Sequence, residues 1–409
     1  MDVIVVGAGS AGSVVARRLV DAGAAVTLLE AGGPDVNPAI HDPARAGELW
    51  HGPEDWDLYT VPQPHANGRR LHLPRGKVLG GSHALNAMIW VRGAPADYDG
   101  WGLPGWTWAD VTPVFERIEQ DLLSVVPNTP LHPIQQSILD ACVSAGLPVS
   151  PDEGVSVQQI TLRDGRRFNT WHAYGAPVAS RLTVHTGALV HRLRFSGSRV
   201  TGVVASIGGC LRELSADLVV LAAGALASPE ILLRSGVGPA DELAALGINV
   251  VADLPGVGRN LHDHLLSPVI FATDREVTPW PGRPVTQVHW FWRSRPGLAV
   301  PDTQPICFSV PMYEPWMSGP PTGFSLMAGM VTPESRGSLR LSPDGSVLID
   351  LAALASPADF ESLVASVEQC AAVGCAPALA TEWGARRLYP APADDIREYV
   401  RRTAITYHH

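Results

Sequence analysis

The sequence predicts an α/β chain, α+β overall, in which a Rossmann-like domain on a parallel sheet is interleaved with a mixed, antiparallel-sheet domain. Three observations carry this prediction. Strand and helix patterns alternate through the first thirty residues, around a glycine-rich turn. Hairpin signals mark the later part, where turn residues separate short β-branched runs. The chain has 409 residues, 46% hydrophobic and 17% charged, which is enough for a large core and two or three domains.

In chain order, Val3 to Val6 is a short β-branched run suited to a buried parallel strand. Gly7-Ala8-Gly9-Ser10-Ala11-Gly12 follows, then a helix with Val14, Val15, Arg17, Arg18 and Leu19, then a second strand from Val26 to Leu29. From there to about Arg75 the chain is rich in Pro, Gly, His and Trp without periodicity, and reads as extended loop. Leu182 to Phe195, Val200 to Ile207 and Leu218 to Ala222 read as strands between Gly and Ser turns. Residues 275–335, rich in Pro and Trp, are expected to be irregular and locally stiff. Ser338 to Leu341 and Val347 to Asp350 flank Pro343-Asp344-Gly345, a hairpin signal.

Ser356-Pro357-Ala358-Asp359 opens a helix with an N-cap, Pro at N1 and an acid at N3. Phe360, Leu363, Val364 and Val367 fall on its buried face, and Gly374 is the expected stop. The expected domain division is 1–95, 181–265 and 396–409 for the nucleotide-binding part, with 96–180 and 266–395 for the substrate-binding part.

Several function classes are disfavoured by composition. The formal net charge is -10 and no run of Lys and Arg reverses it locally, which argues against nucleic-acid binding. Cys142, Cys210, Cys307, Cys370 and Cys375 form no CxxC pair, so neither a disulfide framework nor a metal site is expected. Met1 leads straight into a strand, and no stretch approaches the roughly 20 apolar residues of a membrane span. A soluble, cytoplasmic protein is expected.

The glycine turn lies between a strand and a helix, where each glycine has a reason. Gly7 permits the tight turn, Gly9 lets backbone approach a pyrophosphate, and Gly12 lets the helix pack on the strand. Amides at Ser10 and Ala11 would then face the anion. Glu30 closes the second strand, where a carboxylate accepts ribose hydroxyls and disfavours a 2′-phosphate. These residues predict a dinucleotide site and leave FAD and NAD open.

Longer motifs narrow the choice. Glu30-Ala31-Gly32-Gly33 and Arg75-Gly76-Lys77-Val78-Leu79-Gly80-Gly81-Ser82, continuing through Asn86-Ala87-Met88 to Val91-Arg92-Gly93, resemble signatures of the glucose-methanol-choline (GMC) oxidoreductases. The stretch from Gly224-Ala225-Leu226-Ala227-Ser228-Pro229 to Gly238-Pro239 is similar to the second family signature. Leu254-Pro255-Gly256-Val257-Gly258-Arg259-Asn260-Leu261-His262-Asp263-His264 and Ser335-Arg336-Gly337-Ser338 also resemble family sequence, in family order.

The resemblance implies FAD. It implies that Gly80 and Gly81 bring backbone against the isoalloxazine, where a Cβ would collide, and that Asn86, Ala87 and Met88 flank its reactive edge. Ala222-Ala223-Gly224, Ser228 and Val190 are implied on the nucleotide side. Family members with covalent flavin carry a histidine immediately before the asparagine. Leu85 stands there, so His83 is not expected to be a linkage and the FAD is expected to be non-covalent.

The end, Thr403-Ala404-Ile405-Thr406-Tyr407-His408-His409, resembles the start of the family's final motif, whose histidine is the general base of alcohol oxidation. His409 is the first choice and His408 the second. The rest of that motif, with the second catalytic His or Asn, would lie beyond His409, which puts the activity of the polypeptide as written in question.

The Ile-Thr-x-His-His run and Arg163-Asp164-Gly165-Arg166-Arg167 resemble the pyridoxine 4-oxidase branch of the family. An aromatic or heteroaromatic primary alcohol is therefore the preferred substrate, ahead of choline-like or aliphatic alcohols. Trp280, Trp290, Trp292 and Trp316 suit an aromatic wall, although tryptophans are more often core. Oxygen, a quinone or a dye is left open as acceptor. The rival readings are a catalytically impaired or truncated flavoprotein, a lyase or decarboxylase on the same fold, and, least favoured, an NAD-only dehydrogenase.

Overall fold

A computed structural model describes residues 1–408, with every side chain among them except those of Asp121 and Leu122. The opening motif folds as its pattern dictates. Strand β1 spans Asp2–Val6, helix α1 Ser10–Asp21 and strand β2 Ala25–Leu29, with Val3 beside Val26 and Val6 beside Leu29. Strand β3 (Leu182–His185) adds to β2 and strand β4 (Leu218–Leu221) to β1, giving the parallel order β3-β2-β1-β4. Val3 and Val5 pack with Ala16 and Val20 of α1, while Ile4 and Val6 pack with Val190 and Val203 on the opposite face. Burial on both faces is why β1 reads as a continuous apolar run. β4 leads directly into helix α2 (Gly224–Arg234).

The expected single strand from Leu182 to Phe195 is in fact two. Thr186-Gly187 breaks it, with Gly187 in the left-handed region at φ 62°. Leu182–His185 joins the parallel sheet, and Ala188–Ser196 starts a three-stranded antiparallel sheet with Arg199–Ile207 and Cys210–Ser215.

The irregular reading of residues 275–335 holds for the connections but misses three strands. Strand β5 (Leu265–Ala272) and strand β6 (Gly323–Met330) are central to a seven-stranded sheet that also holds Thr286–Phe291 and Ile306–Phe308. Arg386–Tyr389 flanks β5, and Gly154–Val157 closes the far edge. Two facts hid these strands. The prolines that dominate the composition all fall in the connections, and buried polar residues interrupt the apolar pattern. Gln287 is one of these: it accepts from His132 N at 2.8 Å and donates to Asn128 O and Pro130 O at 3.0 and 2.8 Å, so its burial is compensated.

Helix α3 (Pro357–Val373) covers this sheet. Ser356 caps it, its Oγ accepting from Ala358 N, and Phe360, Leu363, Val364 and Val367 join one core with Val269, Phe271, Leu326 and Ala328. Asp359, expected to cap at N3, instead accepts from Glu334 N and Ser335 N at 2.7 and 2.9 Å, fastening the preceding loop to the helix. Gly374 does end the helix, but its φ is −66°, and a Cβ there would lie 2.0 Å from the Phe271 ring. Gly374→Ala is therefore expected to cost about 1–3 kcal/mol by overpacking, read as a lowered thermal midpoint. The hairpin at Gly345 forms as expected, between Gly337–Leu341 and Val347–Asp350.

Helix α4 (Ile396–Thr403) and strand β7 (Ile405–Thr406) return the chain end to β5, with Thr406 beside Leu265 and Ile405 beside Leu266. This last stretch, expected with the nucleotide-binding half, is hydrogen-bonded to the second sheet. Among the described residues, no helix is long and apolar enough to cross a membrane.

Candidate cofactor and active site

The glycine turn is fixed by close contacts. Gly7 has φ 98°, and a Cβ there would lie 2.5 Å from Ala222 O at the end of β4. At Gly12 a Cβ would fall 1.8 Å from Gly7 O, so α1 seats directly on the turn. Gly9 is the N-cap of α1, which has no side-chain cap and no acid in its first turn. Ser10 and Ala11 are exposed. The helix thus turns an uncapped set of amides and the positive end of its dipole to open space, as an anion site requires.

Glu30 is 5% exposed. Its Oε2 accepts from Ala8 N and its Oε1 from Gly32 N, both at 2.8 Å. Burial pushes its pKa up, and the two amides oppose that shift. The carboxylate therefore has a structural part that the sequence did not reveal, tying the turn to the Ala31-Gly32 loop. Each oxygen retains a second lone pair for a ribose hydroxyl.

The second glycine block docks onto the first. Gly80 N donates to Ala8 O at 3.0 Å, and Leu79 N to Gly33 O at 3.0 Å. Gly81 has φ 56°, and a Cβ there would sit 2.7 Å from Gly9 Cα. Gly80 has φ 98°, and its Cβ would sit 2.5 Å from Asn169 Nδ2. A Cβ at either glycine would thus meet the chain itself, whatever ligand lies beside it. Val78 and Leu79 turn their side chains into the core, 1% and 7% exposed. Gly81→Ala is expected to separate the two blocks, so that flavin is lost during gel filtration while the fold persists. Retention of a full flavin complement would contradict this.

On the opposite side, Ala222 N donates to Val6 O at 2.8 Å and Gly224 has φ 83°. Ala223 N donates to Ser228 Oγ at 3.1 Å, so Ser228 caps the start of α2. Ala223 is half-buried and Gly224 exposed. Val190 is buried against Val6 and Leu29, beside a bulge between Val190 and Arg192.

Asn86 is exposed and Met88 buried at φ 62°. Asn86 Oδ1 accepts from Met88 N at 2.9 Å and from Arg167 Nη1 at 2.9 Å. His83 is buried, 2.8 Å from Thr161 Oγ1 through Nε2, and burial pushes its pKa down to about 3.

At the chain end, His409 lies outside the described residues. Tyr407 N donates to His264 O at 2.9 Å and Tyr407 Oη to Gln304 O at 2.8 Å, which sets the position of His408. His408 has φ 68° and meets Trp50 edge-on at 4.6 Å between ring centroids. Loss of water around its ring, then the nearby His72 and Arg75, push its pKa down to about 4.

Arg75, expected at the cofactor, belongs to this neighbourhood. It lies 3.8 Å from Asp263 Oδ2, and its backbone N donates to Asp55 Oδ1 at 2.9 Å. Burial raises the pKa of Asp263 to about 7, with Arg75 opposing. Sequence reasoning did not single out Asp55 and His72, and reached Asp263 only within the Leu254 to His264 motif, because their approach depends on loops that carry no periodic signal. Trp290 is core, its Nε1 donating to Gln369 Oε1 at 2.8 Å, and Trp280 packs on His132. Trp316, 42% exposed, lies under Arg402.

The residues present therefore fit FAD: an uncapped helix terminus for a diphosphate, a buried acid for a ribose, and glycine backbone beside an exposed Asn86. Comparison with known proteins agrees. The family model described as GMC oxidoreductase matches residues 1–266. Pyridoxine 4-oxidase of Microbacterium luteolum is 32% identical, over 100% of this chain and 88% of its own length. An oxygen-dependent choline dehydrogenase of Pseudomonas syringae pv. syringae is 40% identical, over 68% of this chain and 55% of its own. The crystal structure of pyridoxine 4-oxidase from Mesorbium loti superposes with a TM-score of 0.94 at 32% identity, over 100% of this chain and 87% of that one.

Proposed function

The chain belongs to the GMC oxidoreductase family, and from that premise we propose that it oxidises a primary alcohol to the aldehyde, with a histidine at the chain end as general base. It is an FAD-dependent enzyme of the class that acts on CH–OH donors. FAD, when bound, supplies the two-electron acceptor for the hydride and is reoxidised by oxygen, a quinone or a dye.

The observation that carries the reading is the backbone-on-backbone contact of Gly9 with Gly81, at an uncapped helix terminus. A plain nucleotide fold has no need of the second block. In this reading Gly9, Ser10, Ala11 and Gly12 hold the diphosphate, and the remaining lone pairs of Glu30 take the ribose hydroxyls. Backbone at Ala31, Val78, Leu79, Gly80 and Gly81 lines one wall. Val190, Ala222, Ala223 and Gly224 line the other, with Ser228 bracing the turn and Arg75 bracing the base. The loop from Asn86 to Met88 lies at the reactive edge, where negative charge develops. A desolvated His408 is neutral at pH 7, the protonation state that a general base requires.

The likeness to pyridoxine 4-oxidase along the whole chain supports an aromatic or heteroaromatic alcohol as the preferred substrate class. The tryptophans lend it no support. Five unpaired cysteines accord with a cytoplasmic location.

An anaerobic panel of pyridoxine, benzyl alcohol and choline tests the reading on the purified yellow protein. Bleaching of the flavin with formation of an aldehyde is the expected result, fastest with the aromatic alcohols. Bleaching by dithionite but by none of the alcohols would sink it in favour of an impaired flavoprotein. Peroxide released under air would make oxygen the acceptor.

A further inference from the structure

We propose that Arg167 is a positioning residue for the flavin edge of the cleft, and that its unshared charge is balanced by the negative charge the cofactor gains on reduction. The inference rests on the family reading for the cofactor and goes beyond it by assigning a residue behind the cleft wall.

The hairpin of Gln159–Arg163 with Arg166–Arg167 turns at Asp164 and Gly165, with φ 52° and 73°. It delivers Arg167 inward, 1% exposed, while Arg166 stays outside. Nε of Arg167 donates to Ile40 O at 2.8 Å. Its Nη1 donates to His83 O at 3.3 Å, to Asn86 O at 2.6 Å and to Asn86 Oδ1 at 2.9 Å. Its Nη2 is buried and has no hydrogen-bond partner among the described residues. These acceptors are neutral carbonyl and amide oxygens, so the guanidinium is hydrogen-bonded but not neutralised.

A guanidinium stays charged at neutral pH even when buried; here burial lowers its pKa only to about 10. An uncompensated buried charge is costly, and a chain that keeps one has a counter-charge to gain. The candidate counter-charge lies across Asn86. That residue is exposed, while its carbonyl and Oδ1 both bind the buried Arg167. The same Oδ1 holds Met88 N, and with it the left-handed backbone at Met88. Arg167 thus fixes the loop that family resemblance places at the reactive edge. It also sets a preorganised cation one residue behind that edge, where low dielectric strengthens its field.

The test uses the FAD-loaded protein and needs no turnover. Sulfite adds to oxidised flavin and leaves the ring negatively charged, so its affinity reports the local field. Arg167→Gln is expected to weaken sulfite binding about tenfold or more. A parallel tenfold change in the flavin's two-electron equilibrium is a fall of about 30 mV in midpoint potential. Arg167→Lys, which keeps the charge and loses the fork, is expected to bind FAD more weakly but to retain most of the sulfite affinity. Its sulfite affinity should also fall more steeply than wild type as pH rises from 7 to 9, because a buried ammonium deprotonates.

Unchanged sulfite affinity and potential in a FAD-loaded Arg167→Gln protein would reduce Arg167 to a structural clamp. If that variant does not fold, a pH slope in Arg167→Lys equal to wild type reduces it to a clamp in the same way. A wild-type chain that takes up no FAD overturns both this inference and the reading it rests on. A wild-type chain that binds FAD and sulfite but oxidises no alcohol overturns only the latter.

Discussion

Replacing the base at the chain end is expected to slow anaerobic bleaching by an alcohol roughly 10²-fold or more, with the flavin spectrum intact. The reason is a separation of parts. The cradle for FAD is made by the turn at Gly7–Gly12, by Glu30 and by the block at Gly80 and Gly81, none of which touches His408 in a described contact. His408→Ala and His409→Ala, compared singly and together, locate the base. Unchanged bleaching in both single variants would refute the assignment.

The pH profile gives a second handle. With its pKa pushed down to about 4, His408 stays neutral through pH 6, so bleaching should hold to about pH 5 and fail below it. An acid limb near 6.5 would instead assign the proton to a better-solvated group.

A steep loss of stability in mild acid is the other large expected effect. Burial lowers the pKa of His83 to about 3 and that of His289 to about 4, and desolvation lowers that of His408 to about 4. Each is neutral when folded and takes up a proton on unfolding below about 6.5. Their contribution is complete above that pH and is lost as pH falls toward the folded values. Asp263 acts in the opposite sense. Raised to about 7, it is protonated when folded and releases a proton on unfolding between about 4 and 7.

For these four groups the balance between pH 4 and 6.5 is a net uptake of about two protons on unfolding, so their combined contribution should fall by about 3 kcal/mol per pH unit. Against a typical total of roughly 5–15 kcal/mol this is large. Melting curves from pH 7.5 to 4.5 should show the midpoint flat at first and then falling sharply below pH 6. A flat curve throughout would contradict the buried-imidazole account. His289→Gln, which removes one proton acceptor while keeping a polar group near Gln304, should make the fall shallower.

What the sequence disclosed follows from where each residue's partner sits. Gly7 and Gly12 were legible because a tight turn and a helix seated on it are local demands. Gly80 and Gly81 were legible as a block, while their contacts with Asn169 and Gly9, distant in sequence, were not. Glu30 was found as an acid at a strand end, while its bonds to Ala8 and Gly32 were not.

The strands within 275–335 escaped because Gln287 and His289 face a buried interior whose polar partners come from other loops. Arg167 was legible only as part of the Arg163 to Arg167 motif, because an arginine in a run of charges next to a Gly turn carries no local sign of burial. Only the fold shows that this hairpin points one of its arginines inward.

The pairing of β7 with β5 bears on how the reaction would be kept in register. It secures the chain end to the antiparallel sheet, whereas the diphosphate cradle grows out of the parallel one. In the proposed reaction, hydride and proton therefore leave the same carbinol toward acceptors carried by separate scaffolds. The gap between them is a distance between two sheet bodies, bridged by the segment that leads into Gly80 and Gly81, where Thr406 Oγ1 donates to His72 O at 2.9 Å. Agents that shear those bodies, such as pressure or a destabilised sheet seam, should then slow hydride transfer before they release the nucleotide.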